Sequence, residues 1–183
     1  MARLPYLEKS DLAPEHQALL KRDISLYRQL VHSPGALAAF QGLGAYIRFE
    51  SGLDARLREL AILQVGWLAR APYEWAHHIK IGYDFGVSDA DIEGLIADSG
   101  GRPSALEPLA RTVLLAAREM TQDQKVSDAT FGRLDAALDK AHVVDLVVTI
   151  AFYNAVVRIL ATLEIDLEPD YRRYLDRHPL PAA

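Results

Sequence analysis

Apolar residues along this chain return every three to four positions, and no stretch alternates strictly enough to mark a β-strand. The pattern predicts an all-α fold. From Pro14, placed where a first helical turn would begin, "PEHQALLKRDISLYRQLV" (14–31) carries one apolar stripe. "SPGALAAFQGLGAYIRFE" (33–50) follows, with Ser33 as cap and Pro34 as first helical residue. After the turn "SGLD", a long helix is expected from about Asp54 to Arg70. The next should run from Pro72 to Gly86, a residue suited to a left-handed C-terminal position. Ser88 and Asp91 form an S-x-x-D cap opening a short helix over 88–97. The clearest loop is "DSGGRPSALEP" (98–108). Helices are then expected near 106–120, 127–140 and 142–163, with a charged tail helix "EPDYRRYLDR" ending at Pro179. The sum is one domain over 1–183, a bundle of about eight helices. Residues 1–13 read as an irregular extension, 54–97 as the motif-bearing core and 165–183 as a charged tail.

Within that core, "LRELAILQVGWLA" (57–69) is apolar almost all round after Glu59, so its middle should be buried on most sides. Glu59 shares a face with Ile62, Leu63 and Gly66. An unpaired carboxylate there would cost several kcal/mol, so it needs a partner or a raised pKa. Arg158, inside the apolar "AVVRILA", is a candidate partner. Gly66 costs about 1 kcal/mol of helix propensity against alanine and implies close approach by another helix or a ligand.

The next segment, "WLARAPYEWAHHIKIG" (67–82), places Glu74 and His78 one helical turn apart, flanked by Tyr73 and Trp75. The short connection at Arg70–Ala71 folds this helix back on its predecessor and brings Glu59 alongside. A carboxylate beside an imidazole in an apolar hollow tunes both groups for acid–base work. Glu59, Glu74 and His78 are therefore the catalytic candidates. The plainer alternative is a helical i,i+4 pair contributing a few tenths of a kcal/mol. His77 lies about 100° around the helix and reads as a surface or interface residue. Trp75, Tyr153 and Asn154 are candidate substrate contacts, with core packing and internal hydrogen bonds as their alternative role. Asp145, Thr149 and Tyr153 share a stripe suited to pocket lining or a subunit contact. Glu59, Glu74 and His78 are ligand types that zinc or a harder ion accepts, but no metal signature is present and no metal is expected.

Composition narrows the chemistry. At 183 residues, half of them apolar and a quarter charged, the chain can bury a proper core. A net charge of -5 with no basic run argues against nucleic-acid binding. There are no cysteines, which removes disulfides and any nucleophilic or redox thiol. "MARLPYLEKSDLAPEHQ" lacks the apolar run of a secretory signal. The run "LVVTIAFYNAVV" (146–157) reads as too short to span a bilayer. A cytoplasmic location, with no membrane partner, is expected.

"LRELAILQVGWLARAPYEWAHHIKIGYDFGVSDADI" (57–92) resembles the core of the carboxymuconolactone decarboxylase and alkyl-hydroperoxidase-D-like superfamily. The peroxidase branch of that family shows a glutamate and, twelve residues on, a C-x-x-C-x-x-x-H motif. Laid on this chain, the glutamate falls on Glu59, the cysteines on Ala71 and Glu74, and the histidine on His78. Without sulfur the thiol chemistry of that branch is out of reach. The resemblance implies the cysteine-free, decarboxylase-like branch: an all-helical fold, a homo-oligomer (trimer or hexamer), and sites near subunit interfaces.

Under that resemblance the expectation is a cofactor-independent lyase acting on a small carboxylated lactone or related carbonyl acid. His78, oriented by Glu74 or Glu59, would act as electrophile or proton donor, and no metal or organic cofactor is needed where the substrate carbonyl takes up the electrons. A lactone hydrolase or isomerase would use the same groups. A non-catalytic, oligomeric small-molecule-binding protein stands as the third reading.

Overall fold

The computed structural model describes residues 2–181, and no strand occurs among them. Among the described residues nine α-helices form, with short 3-10 segments and one π turn, where about eight helices were expected. Helix α3 (Ala55–Leu68) starts where the Asp54 side chain accepts from Leu57 N–H, and α4 (Pro72–Asp84) starts on Pro72. Helix α5 (Asp89–Ser99) opens on the expected Ser88–Asp91 capping box. Gly86, at φ 91, makes the left-handed step before it. Helices α6 (Pro108–Gln122), α7 (Asp128–Ala137) and α8 (Lys140–Leu163) complete the bundle.

Helix α3 lies at the centre, packed against α4, α5, α6 and α8. Residues 57–66 of this helix are all buried, as an apolar circumference requires. Gly66 is where α4 comes closest: a Cβ there would stand 3.4 Å from the Trp75 backbone nitrogen. Helix α8 packs on α3, α6 and α7. It is longer than its uncharged run, and by length and composition alone it could cross a membrane, although half of its most apolar stretch is buried inside the bundle.

The N-terminal third departs from expectation. Residues 14–31 do not form one helix. A 3-10 segment, Pro14–Leu20, breaks before α1 (Ser25–Leu30). The Glu168 carboxylate reaches across from the tail to accept the Ser25 backbone N–H at 2.6 Å, so a distant residue supplies the helix start. Helix α2 covers Pro34–Ala45, and a π turn, Tyr46–Glu50, continues it. Asp145 of α8 holds both ends of that turn, accepting from Tyr46 Oη and Ser51 Oγ at 2.7 Å each. The tail forms a 3-10 turn, Pro169–Tyr171, and α9 (Arg172–Arg177) against α4.

Candidate active site

Two antiparallel helices bring together the acids and the imidazole. His78 Nδ1–H donates to Glu59 Oε2 at 2.7 Å, from α4 to α3. On the other side of the ring, Glu74 Oε1 stands 3.0 Å from His78 Nε2, one turn back on the same helix. Glu74 Oε1 is off the line of a hydrogen bond and has no other partner. The imidazole therefore sits between two carboxylates. All three side chains are at most 5% exposed.

Arg58, also buried, backs the group. Its Nε–H donates to Glu59 Oε1 at 3.1 Å, and its guanidinium lies 4.6 Å from the Phe85 ring centroid. Arg158, the partner expected for Glu59, instead faces outward and donates to Asn154. Adjacent helical residues normally point apart, and that is why Arg58 does not stand out in the sequence.

The electrostatics follow from this order. Burial by itself would raise the pKa of Glu59, but the facing imidazole, with Arg58 and Arg48 beyond, outweighs it and lowers that pKa. Burial opposes charge on His78, yet Glu74 and Glu59 outweigh it and raise the His78 pKa. Tyr153 packs edge-on against the His78 ring at 4.8 Å between centroids. Burial, together with the charges of Glu74 and Glu59, keeps its phenol protonated well above the usual range.

These groups open on a cavity of about 350 Å³, the size of a small-ligand site. Helix α4 supplies Glu74, His77 and His78 to one wall; α8 supplies Phe152 and Tyr153. Across from them stand the segment after Pro14–Leu20 and the π turn with Arg48 and Phe49. Glu59 does not reach the cavity; it lies behind His78. Glu74 is thus the carboxylate a ligand meets.

The other sequence candidates divide. Tyr153 lines the cavity. Trp75 does not: it is fully buried, and its Nε1–H donates to the His178 carbonyl at 2.7 Å. Asn154 is turned toward α6, donating to Thr121 Oγ1 and to the Ile150 carbonyl. Neither residue lines this cavity, because a helix of period 3.6 sends neighbours of a lining residue elsewhere. His77, expected at the surface, is buried and stacks between Tyr73 and Tyr171 at 4.2 and 3.6 Å. Its Nε2–H donates to Glu168 Oε2 at 2.7 Å. Asp145 and Thr149 serve the π turn and the α8 backbone rather than the cavity. Arg48 is the lining residue that sequence reasoning missed; its place in "GAYIRFE" resembles an ordinary solvated helix end.

Among the described residues, no three His, Asp or Glu side chains are arranged to hold a metal ion. Both His78 nitrogens already face carboxylates. What the arrangement can do is move protons.

Comparison with known proteins bears on the fold. The Carboxymuconolactone decarboxylase family model matches residues 34–119, which contain Glu59, Glu74 and His78. Among solved structures, a cysteine-to-alanine variant of the debrominase Bmp8, in complex with 2,3,4-tribromopyrrole, is 16% identical over 97% of this chain and 99% of its own, with a TM-score of 0.80. A peroxidase-related protein with an alkylhydroperoxidase AhpD core, from Ralstonia eutropha JMP134, is 19% identical over 95% of each chain, with a TM-score of 0.76. A peroxidase-related protein from Silicibacter sp. TM1040 is 17% identical over 92% of each, with a TM-score of 0.73. At these identities the likeness shows a shared AhpD-like all-α fold. A search of curated proteins gives no match.

Proposed function

For a chain whose residues 34–119 match the carboxymuconolactone decarboxylase family model, we propose a cofactor-independent acid–base enzyme of that family's type. It is a carboxy-lyase-like protein acting on a small carboxylated lactone or related carbonyl acid. One observation carries the reading. Glu74 Oε1 is buried at the cavity wall without an aligned donor, 3.0 Å from His78 Nε2. A buried carboxylate oxygen in that state calls for an explanation, and a part in the reaction supplies one.

In this reading, the bond from the substrate carbon to its carboxylate breaks and carbon dioxide leaves. The bonding pair stays on the substrate and spreads onto a conjugated carbonyl oxygen. Tyr153, held as a neutral phenol, donates a hydrogen bond to that oxygen. Glu74, protonated from His78 Nε2, delivers a proton to carbon, and solvent restores the proton on His78. Glu59 remains ionised and fixes the Nδ1–H tautomer. The substrate's own carbonyl is the electron sink. Thiol-dependent peroxide reduction is excluded, since the chain has no cysteine.

The test is a screen of carboxylated lactones, keto acids and simple lactones, reading carbon dioxide release against ring opening. Release that disappears in His78→Ala, with helicity retained, supports the lyase. Ring opening without carbon dioxide makes the protein a lactone hydrolase on the same groups. Saturable binding with no turnover makes it a non-catalytic binder. The reading includes a homo-oligomer: Ala141, Val144, Ala151 and Ala155 form an exposed apolar stripe on α8 that a second copy can cover. Sizing should return a trimer or larger; a monomer at micromolar concentration removes that part.

A further inference from the structure

Arg58 on α3 is a buried charge behind the reacting groups: it is 2% exposed and does not line the cavity. Its Nε–H donates to Glu59 Oε1 at 3.1 Å, and Glu59 is its one ion-pair partner among the described residues. Nη2 stands 3.1 Å from the same oxygen but off the line of a hydrogen bond, and it has no other acceptor. The rest of its company is the Phe85 ring, 4.6 Å from the guanidinium. A buried ion pair of this kind returns little net stability, because desolvation of both charges offsets their attraction. Stability alone does not account for a guanidinium here.

Its effect falls on a proton. His78 Nδ1 and Glu59 Oε2 are 2.7 Å apart, and a proton between them can rest on the ring or on the acid. On the acid, it leaves Nδ1 bare and the ring's remaining proton on Nε2, as a neutral N–H too weakly acidic to give up. On the ring, it leaves Nε2 as the nitrogen that gains and loses protons, 3.0 Å from Glu74 Oε1 at the cavity wall. Which nitrogen carries the proton is set by what the other one meets. Arginine stays charged throughout and favours the carboxylate form of its partner. Burial opposes charge on Glu59, and the facing His78, with Arg58 and Arg48 after it, outweighs burial. Two carboxylates and a protonated ring leave the group one negative charge in excess, which Arg58 cancels. The other groups that face the pair are Glu74 on α4, Arg48 in the π turn and Tyr153 on α8. The acids of α5, Asp91 and Asp98, are taken up by Arg56 and Arg118.

We propose that Arg58 is a positioning residue: by holding Glu59 as a carboxylate, it pins one proton on His78 Nδ1 and confines proton exchange to Nε2, on the cavity side. Protons then pass between His78 and Glu74, where a ligand meets them, and are kept from the core. Arg58 lies outside the cavity lining, so it acts only through Glu59. The inference rests on the acid–base reading for its effect on turnover, whereas the tautomer it fixes is a property of the resting protein.

The test is NMR of ring-15N-labelled histidine, titrated from acid to alkaline pH, with the His78 signals assigned by their loss in His78→Ala. In the wild type, Nδ1 should keep its N–H signature when the ring turns neutral, and Nε2 should become the bare nitrogen. Arg58→Met fills the space against Phe85 without the charge. There Glu59 should take up its proton at a pH about 1–3 units higher, and Nδ1 should lose N–H character. Arg58→Lys should bring both back most of the way. In Arg58→Met, kcat should fall about tenfold at unchanged KM, part of what proton transfer supplies. An Nε2–H tautomer in the neutral wild-type ring overturns the proposal. So does an Arg58→Met variant that melts lower yet keeps the wild-type titration and tautomer, since that role is structural only. A folded Arg58→Lys variant that restores neither overturns it too. Arg58→Gln, which keeps a donor toward Glu59 without the charge, stands in where Arg58→Met does not fold. The signals are read without substrate, so the tautomer result can hold where the lyase reading fails. An active enzyme with the other tautomer removes this inference alone.

Discussion

His77 and His78 are neighbours on one helix, both buried, each bonded to a glutamate at 2.7 Å, and both on the cavity wall. What differs is the state of the acids around them. The glutamate on His77 is fully used: Glu168 also accepts the Ser25 N–H at 2.6 Å and the Tyr73 hydroxyl at 3.2 Å. Two aromatic rings clamp that imidazole from both faces. His78 has two carboxylates, and one oxygen of Glu74 has no aligned donor. A satisfied polar network fixes structure, here the tail and α1 onto α4. An unsatisfied one keeps capacity for a ligand. The sharpest way to break this contrast is to remove each ring in turn. His78→Ala should cost between about a hundredfold and ten-thousandfold in turnover. His77→Ala should leave the chemistry within about tenfold and lower Tm instead, by about 2–4 °C for each kcal/mol of lost packing and hydrogen bonding. Steady-state rates and thermal melts on both variants check it; the reverse assignment would invert the comparison.

Glu59→Gln tests the charge behind the reactive ring. Glu59 raises the His78 pKa, so the amide should let that pKa fall. If the imidazolium is the proton donor, the alkaline limb of the rate profile moves to lower pH and turnover drops about ten- to hundredfold. His78, raised in the fold, contributes stability that is present below its unfolded pKa and lost as pH rises through the folded one. Glu59, lowered in the fold, contributes above its unfolded pKa and loses it as pH falls through the folded one. The amide variant should therefore be hurt most between those limits, around mildly acidic to neutral pH.

On the structural side of the comparison, Glu168→Gln gives a smaller and differently shaped effect. Burial opposes its charge, but the His77 and Ser25 contacts outweigh burial and hold the Glu168 carboxyl down at about 2, from an ordinary 4.5. A depressed carboxylate stabilises the fold above its unfolded pKa and loses that contribution as pH falls toward the folded value. Wild type and variant should thus differ in Tm at neutral pH and converge as pH drops below the usual carboxylate range. A constant gap down to pH 2 would show that His77 does not depend on that charge.

Much of this arrangement was legible in the chain. Helices α3 and α4 follow from period, caps and the short turn at 70–71, and the same spacing groups Glu59, Glu74 and His78. Their catalytic role remains the proposal above. The Ser88–Asp91 box is local and reads directly. What escaped depends on distant partners. The break before Ser25 is capped by Glu168, far along the chain. His77 is buried only because the tail returns over it. Trp75 points to the His178 carbonyl and Asn154 to Thr121, which no local pattern encodes. Arg48 was hidden because a charged residue at a helix end is ordinarily solvated; it lines the cavity only through the segments packed around it. The family match spans 34–119 and so includes the acids, His78 and Arg48. It leaves out the 18–27 segment and α8, which close the cavity on this chain.

The finest probe of the contrast is Gly66→Ala. The new methyl gains about 1 kcal/mol of helix propensity. It also meets the Trp75 backbone at 3.4 Å and the Glu74 Cγ at 3.6 Å, tight against α4. If α4 yields by a few tenths of an ångström, the Glu59–His78 bond stretches, because it spans α3 and α4. The His77–Glu168 bond does not cross that interface and should be untouched. Opposing effects leave Tm within about 3 °C of wild type, given how little one kcal/mol moves a domain of this size. Turnover should fall by less than about tenfold, as a slightly lengthened relay requires. The convergence of Tm at low pH, which reports on Glu168, should stay as in the wild type. Were the acid limb to change while turnover held, the two imidazoles would be mechanically coupled through α4 and could not be treated as separate devices.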